Sequence, residues 1–102
     1  MGFEIRTTPV FDRWLKSVKD QQAVRAIAMR IARAEAGHLG DVEPVGDGVC
    51  EMRIFIGKGY RIYFARRGDA ILLLLNGGIK SNKKQQQADI QRAREILAQI
   101  EE

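Results

Sequence analysis

The residues best suited to chemistry are arginines and lysines concentrated in one stretch of the chain. Residues 52 to 88 contain eight basic side chains and one acidic side chain, Asp69, for a local net charge of +7. The whole chain of 102 residues has a formal net charge of +4, so the remaining residues together carry −3. Such a localised positive charge indicates a surface that binds a polyanion; a solvated basic face without a partner is the alternative.

Two of these arginines, Arg53 and Arg61, flank the sequence GKG at residues 57 to 59. This sequence is typical of a β-hairpin turn, and a hairpin that closes directly around it puts most hydrophobic side chains on one face. The two arginines then become diagonal neighbours on the other face. Their charges repel each other unless an acid or a bound anion balances them; Glu51 is the candidate acid, and a ligand anion is the alternative.

A second basic cluster, KSNKK at residues 80 to 84, follows two glycines, Gly77 and Gly78. Flexible backbone next to several cations suits a phosphate contact. The spacing does not match the P-loop, in which the glycines, the lysine and the following helix have fixed positions. The sequence therefore gives no support for nucleotide hydrolysis.

Helix caps and hydrophobic spacing predict the elements of the first half. A strand is predicted over residues 3 to 6, followed by a helix that starts at Thr8 and Pro9. Asp20 is a typical N-cap for a second helix, which Gly37 ends, and the short link predicts an antiparallel helical hairpin. The residues predicted to face the core are Val10, Phe11, Trp14, Leu15 and Val18, then Val24, Ile27, Ala28, Ile31 and Ala32, with Arg25, Arg30 and Arg33 outside.

The second half is typical of a mainly antiparallel sheet followed by a final helix. An edge strand is predicted at residues 42 to 45, and residues 70 to 75 are apolar on both faces, as in a covered central strand. Asn76 and the two glycines after it should end that strand. The last helix, from about Gln86, has its apolar stripe at Ile90, Ala93, Leu97 and Ile100. The predicted fold class is α+β, in one domain over residues 1 to 102.

Composition narrows the class of protein. No apolar run is long enough to span a bilayer and the chain starts without a signal-like segment, so a cytoplasmic protein without a membrane partner is expected. The single cysteine, Cys50, cannot form an internal disulfide, and no metal-ligand spacing occurs, so neither a metal nor a cofactor is expected. His38, the single histidine, follows a helix end, where histidines more often complement the helix C-terminus than act as bases.

Four segments in this order of elements resemble the RelE/ParE superfamily of type II toxins. They are ExR at 51–53, GKGYRIYF at 57–64, LLLLNGGIKS at 72–81 and ADIQRAREI at 88–96. More narrowly, the chain resembles the HigB-like group, called addiction-module killer proteins. The resemblance covers almost the whole chain and implies a RelE-like fold, with an N-terminal strand and helical hairpin packed on the sheet and a C-terminal helix.

The resemblance implies a metal-independent RNA interferase, an endoribonuclease that cuts mRNA on the ribosome and inhibits translation. The candidate catalytic residues are Arg53, Arg61 and Lys80, which occupy cationic positions of RNA-cleaving relatives. In this chemistry the 2′-hydroxyl of the substrate attacks the adjacent phosphorus, and arginines hold the phosphate oxygens and stabilise the added charge. Further RNA contacts are expected from Lys58, Tyr63, Arg66, Lys83 and Lys84, with Tyr63 stacking on a base.

The implied partners are mRNA, the ribosome and a cognate antitoxin of helix-turn-helix type, in a toxin–antitoxin hetero-oligomer. The sequence departs from the family pattern at Ile79, which replaces the acid of GGDKS, and no aromatic residue or histidine follows Phe64. Several RNA-cleaving relatives use a C-terminal tyrosine or histidine. Two other interpretations therefore stay open: a non-catalytic toxin that binds a protein such as DNA gyrase, and an inactive relic that only binds its antitoxin.

Overall fold

Alternating hydrophobic residues give the sheet of this protein two apolar faces, and helices cover both. The computed structural model describes residues 2 to 101. Its elements are β1 (Glu4–Thr7), α1 (Pro9–Ser17), α2 (Gln21–Glu35), β2 (Val42–Gly46), β3 (Val49–Ile54), β4 (Tyr60–Arg67), β5 (Ile71–Ile79) and α3 (Lys83–Glu101). The strand order is β1-β5-β4-β3-β2, in which β1 is parallel to β5 and the other neighbours are antiparallel. The predicted α+β class is confirmed, and the architecture is compatible with a RelE-like fold.

Helices α1 and α2 cover the first face of the sheet. Thr8 caps α1 as predicted, because its Oγ1 accepts a hydrogen bond from the backbone N–H of Phe11 at 3.0 Å. The Asp20 carboxylate caps α2 in the same way. Phe11 and Ile27 are then buried with residues such as Phe64, and together they form the first hydrophobic core.

The apolar stripe of α2 is rotated from the predicted one. Ile27 is buried as expected, but Ala23 and Ala34 are buried in place of Ala28 and Ala32, which are exposed. The list of solvent-facing arginines was also wrong at one position. Arg30 turns inward and donates hydrogen bonds to the carbonyl oxygens of Leu39, Asp41 and Arg53. Because these acceptors lie in the loop and on β3, Arg30 ties α2 to the sheet.

Helix α3 covers the second face. Ile90, Ala93 and Leu97 are buried there as predicted, whereas Ile100 is half exposed. The helix begins at Lys83 and not at Gln86, because the Asn82 side chain accepts from the Gln85 N–H at 2.8 Å and caps it earlier. The central strand β5 is covered on both faces, as its apolar sequence predicted: its alternate leucines belong to the two different cores.

The prediction that Asn76, Gly77 and Gly78 end the central strand was wrong. β5 continues through both glycines, which pair with Ile62 and Arg61 of β4. Trp14 of α1 lies directly on Gly77, where an added Cβ would come within 2.4 Å of the indole ring. The glycine therefore permits close packing of a helix on the strand and does not interrupt it.

The predicted hairpin register was also wrong, by two residues. β3 and β4 close at Ile54 and Tyr60, which leaves a loop of residues 55 to 59. In that loop the Gly59 N–H donates to the Ile56 carbonyl at 2.8 Å. A shift of two residues keeps every side chain on its predicted face. It makes Arg53 and Arg61 directly opposed partners, however, where diagonal neighbours were predicted.

Candidate functional site

The three predicted catalytic residues, Arg53, Arg61 and Lys80, line one shallow groove. β3 supplies Arg53, β4 supplies Arg61, and Lys80 directly follows β5, so three adjacent strands deliver the three cations. The cavity volume of the groove is about 10 Å³, far below that of a pocket which encloses a small molecule. A ligand would lie across this groove on the surface of the protein.

Arg53 is held by two carboxylates at the edge of the sheet. Its Nη2 lies 3.1 Å from Oδ1 of Asp41, and its Nη1 lies 3.1 Å from Oε2 of Glu43. The hydrogen bond that Arg53 donates to Asp41 raises the pKa of Arg53 above its ordinary value, and the charges of Asp41, Glu43 and Glu51 act in the same direction. The three side chains of these ion pairs are between 31% and 57% exposed, so water and salt compete with both contacts.

Arg61 forms an ion pair with the buried acid Glu51. The Arg61 Nε lies 3.8 Å from the Glu51 Oε2, and the two side chains are only 15% and 2% exposed. Gln86 of α3 donates a further hydrogen bond to the same carboxylate oxygen at 3.1 Å. Glu51 is therefore the acid that balances Arg61, whereas Asp41 and Glu43 balance Arg53. The Nε edge of Arg61 is the part of the guanidinium that faces this carboxylate in the ion pair.

Lys80 is the third cation of the groove. Its side chain is exposed, and in the described part of the chain it forms no ion pair. Its backbone N–H donates to the carbonyl of Gly59 at 2.9 Å, which fixes the lysine beside the hairpin loop. Gly59 has a φ of +84°, and a Cβ at this position would lie 3.2 Å from the Cβ of Lys80. The glycine thus permits both the turn and the close approach of the lysine.

The residues predicted to contact RNA divide into two groups. Lys58, Lys83 and Lys84 are exposed, the first in the hairpin loop and the others at the start of α3, a few residues beyond Lys80. Arg66 lies at the far end of β4, about 17 Å along the strand from Arg61. Its guanidinium is 5.1 Å from the centre of the Phe3 ring and does not lie at the groove.

Tyr63 does not lie at the surface, where a base could stack on it. It is 1% exposed and belongs to the core beneath α3. Burial, together with the carboxylates of Glu51 and Asp89, raises the pKa of Tyr63 well above its ordinary value. The sequence correctly put Tyr63 on the face of the arginines, but α3 covers this part of that face.

Polar contacts fix the start of α3 beside the groove. The Asn76 side chain of β5 donates to the Asp89 backbone carbonyl at 3.1 Å, and Gln85 donates to the Asp89 carboxylate at 3.0 Å. Burial raises the pKa of Asp89, although the Gln85 hydrogen bond and the charge of Arg61 act in the opposite direction. Helix α3 therefore brings a second acid into the surroundings of Arg61.

One groove residue, Phe55, was not predicted as a functional residue. It lines the groove with the three cations, and 76% of its surface is exposed. A hairpin that closed directly around GKG would place Phe55 in a strand opposite Arg61, but in the structure Phe55 lies in the loop. The sequence Ile54, Phe55, Ile56 did indicate an exposed apolar side chain, because three successive apolar side chains cannot all point to one face of a strand.

No helix among residues 2 to 101 combines the length and the hydrophobicity needed to cross a membrane. In the same part of the chain, no group of three His, Cys, Asp or Glu side chains is placed to hold a metal ion.

Comparison with known proteins gives two matches. Residues 13 to 98 match the model of the family described as Phage derived protein Gp49-like (DUF891). The chain is also 41% identical over 99 residues to an uncharacterized protein of Haemophilus influenzae strain Rd, an alignment that covers 97% of this chain and 96% of the relative. Since the family model covers most of the domain, this chain belongs to the Gp49-like family, which is known as a family of toxin–antitoxin toxins.

Proposed function

We propose that this protein is a type II toxin of the RelE/ParE superfamily and its HigB-like group, and that it cleaves mRNA on the ribosome without a metal ion. The observation that supports this function is the convergence of Arg53, Arg61 and Lys80 on one open groove. A surface groove suits a polymer that is presented by a larger particle, such as mRNA in a cytoplasmic ribosome. The toxin–antitoxin family implies an antitoxin as the second partner.

The groove supplies the charge that phosphodiester cleavage requires. The 2′-hydroxyl of the substrate gives up its proton and its oxygen bonds to phosphorus as the bond from phosphorus to the 5′-oxygen breaks. The 5′-oxygen takes up a proton, which leaves a 2′,3′-cyclic phosphate and a 5′-hydroxyl end. Arg53 and Arg61 hold the non-bridging oxygens as their negative charge increases, and Lys80 stabilises the leaving 5′-oxygen. The side chains that line the groove include no carboxylate and no imidazole. That composition fits an activity in which the ribosome assists the proton transfers.

The two arginines have different tasks in this proposal. Arg61 is preorganised, because the buried Glu51 and the start of α3 fix its Nε edge. Arg53 has to exchange the exposed carboxylates of Asp41 and Glu43 for the phosphate. Exposed ion pairs are weak, so the negatively charged phosphates of RNA can compete with these carboxylates for Arg53.

The test is mapping of mRNA 5′ ends in cells after brief induction, with growth followed in parallel. The variants are Lys80→Gln and Arg53→Gln, and the matched control is Lys16→Gln, an exposed lysine of α1. New cuts within translated reading frames are expected for the wild type and for Lys16→Gln, and far fewer for the two groove variants. The cuts should disappear from a transcript whose start codon has been removed. Growth arrest without new 5′ ends would refute the nuclease.

The second candidate is a non-catalytic toxin that binds a protein such as DNA gyrase. It is favoured by one observation: the carboxylates of Asp41, Glu43 and Glu51 already balance both arginines in the isolated protein. In that case the wild type arrests growth and leaves the RNA ends unchanged. An inactive relic that only binds its antitoxin would not arrest growth at all.

A further inference from the structure

Phe55 is the most exposed large hydrophobic residue in the described part of the chain, at 76%. Single exposed apolar residues are common and carry no meaning alone. This one borders the groove that also holds Arg53, Arg61 and Lys80. An aromatic ring beside a row of cations is the arrangement with which proteins bind single-stranded nucleic acid.

The backbone around Phe55 is fixed on both sides. Before Phe55, the carbonyl of Arg53 near the end of β3 accepts a hydrogen bond from the Arg30 side chain at 3.0 Å. After Phe55, the Ile56 carbonyl accepts from Gly59 at 2.8 Å, and the Gly59 carbonyl accepts from Lys80 at 2.9 Å. The ring is thus carried by a loop that is tied to α2, to its own turn and to the end of β5. Such preorganisation reduces the entropy lost when a ligand binds.

We propose that the ring of Phe55 stacks on one nucleobase of single-stranded RNA while the adjacent phosphate lies on the cations of the groove. This inference rests on the proposed function and adds the residue that binds the base. A sugar alone separates the base and the phosphate of one nucleotide, so a ring and cations that share a groove can hold the same nucleotide. Every base has a π-face, so the contact is tolerant of base identity.

A protein partner would use a different part of the surroundings of Phe55. On the α2 side, a groove of about 430 Å³ is lined by Phe55 together with Ala26, Met29 and Ile56. Met29 is 57% exposed, so an apolar segment of a protein would contact both Met29 and Phe55. That groove is also lined by three cations, Arg30, Arg33 and Arg53, and by one acid, Asp41. Two more cations, Arg61 and Lys80, line the other groove beside the ring. This concentration of positive charge favours RNA.

The test measures the affinity of the purified protein for a short fluorescent RNA with 2′-O-methyl groups, which cannot be cleaved. Phe55→Leu keeps an apolar side chain without a π-face, and Phe55→Tyr keeps the ring; Met29→Leu is the matched control. Phe55→Leu should raise Kd about ten- to a hundredfold, whereas Phe55→Tyr and Met29→Leu should bind like the wild type. The slope of log Kd against log salt should stay unchanged in Phe55→Leu, but decrease by about 0.7 in Lys80→Gln.

Three results would overturn the inference. If Phe55→Leu binds RNA like the wild type while Lys80→Gln loses affinity, the stacking contact is absent and the proposed function still stands. If the wild type binds no RNA at low salt, the stacking inference fails, and the mapping of mRNA 5′ ends decides the proposed function separately. If Phe55→Leu and Met29→Leu bind RNA normally but no longer arrest growth, the ring is part of a protein-docking surface instead.

Discussion

Removal of the Glu51 carboxylate is expected to destabilise the fold through Arg61. The two charges are 3.8 Å apart, which gives an attraction of about 4 kcal/mol at an effective dielectric constant of about 20. Loss of one partner from a buried ion pair typically costs about 3–5 kcal/mol. Glu51→Gln should lie at the low end, about 3 kcal/mol, because Arg61 keeps some exposure to water and the charge of Asp89 acts nearby.

The converse change should cost more. Arg61→Met leaves a carboxylate that is 2% exposed with the Gln86 hydrogen bond as its remaining contact, so we expect a cost of about 4–5 kcal/mol. The double variant Glu51→Gln/Arg61→Met removes both charges. It should be about 3 kcal/mol more stable than the sum of the two single effects predicts, because neither charge is then left unpaired.

Chemical denaturation of the four proteins measures this coupling, and thermal unfolding provides a check. For a domain of this size, 3 kcal/mol lowers Tm by roughly 12–24 °C. The matched control is the cycle of Asp41→Asn with Arg53→Gln, whose partners are 45% and 31% exposed. Its coupling should be much smaller and should shrink as salt is added. A Glu51–Arg61 coupling below about 0.5 kcal/mol would show that the buried acid does not stabilise the arginine.

Two further predictions concern the contacts of α3 and α1 with β5. Burial raises the pKa of Asp89 above 3.8, because the charged carboxylate is less favourable in the folded protein than in water. The free energy of unfolding should therefore decrease as the pH rises from 3.8 through the raised pKa. In a series of Tm measurements against pH, Asp89→Asn should remove this decrease. A decline of equal size in the variant would contradict the assignment. Gly77→Ala should cost about 1–3 kcal/mol in chemical denaturation, since its Cβ would meet the Trp14 ring at 2.4 Å, and Trp14→Leu should restore part of that loss. A Gly77→Ala protein as stable as the wild type would refute this packing argument.

Local signals in the sequence were sufficient for most of the elements. Thr8 and Asp20 form the predicted caps, and the leucines of β5 are buried on both faces. Such features depend on residues close together in the chain, so they can be predicted from the local sequence without knowledge of the fold. The faces of the hairpin were also predictable, because alternation fixes which side chains share a face.

Features that depend on distant contacts were not predictable in the same way. A hairpin register shifted by two residues preserves every face, so alternation alone could not show that Arg53 opposes Arg61. The burial of Tyr63 depends on where α3 packs, and the inward turn of Arg30 depends on carbonyl groups in another segment. Gly77 was taken as a break because its partner, Trp14, is 63 positions away in the sequence.

The opposed arginines connect the stability of the sheet with the chemistry of the groove. Like charges at directly paired positions destabilise a sheet, so each arginine needs a local acid. Glu51, the acid of Arg61, is buried, and breaking its ion pair would lower the stability of the fold. Asp41 and Glu43, the acids of Arg53, are exposed, so another anion can replace them. A ligand phosphate, or an acidic segment of an antitoxin, would therefore displace Asp41 and Glu43 from Arg53 and leave the Glu51–Arg61 pair intact. Binding at this groove should consequently be sensitive to salt without being coupled to unfolding of the core.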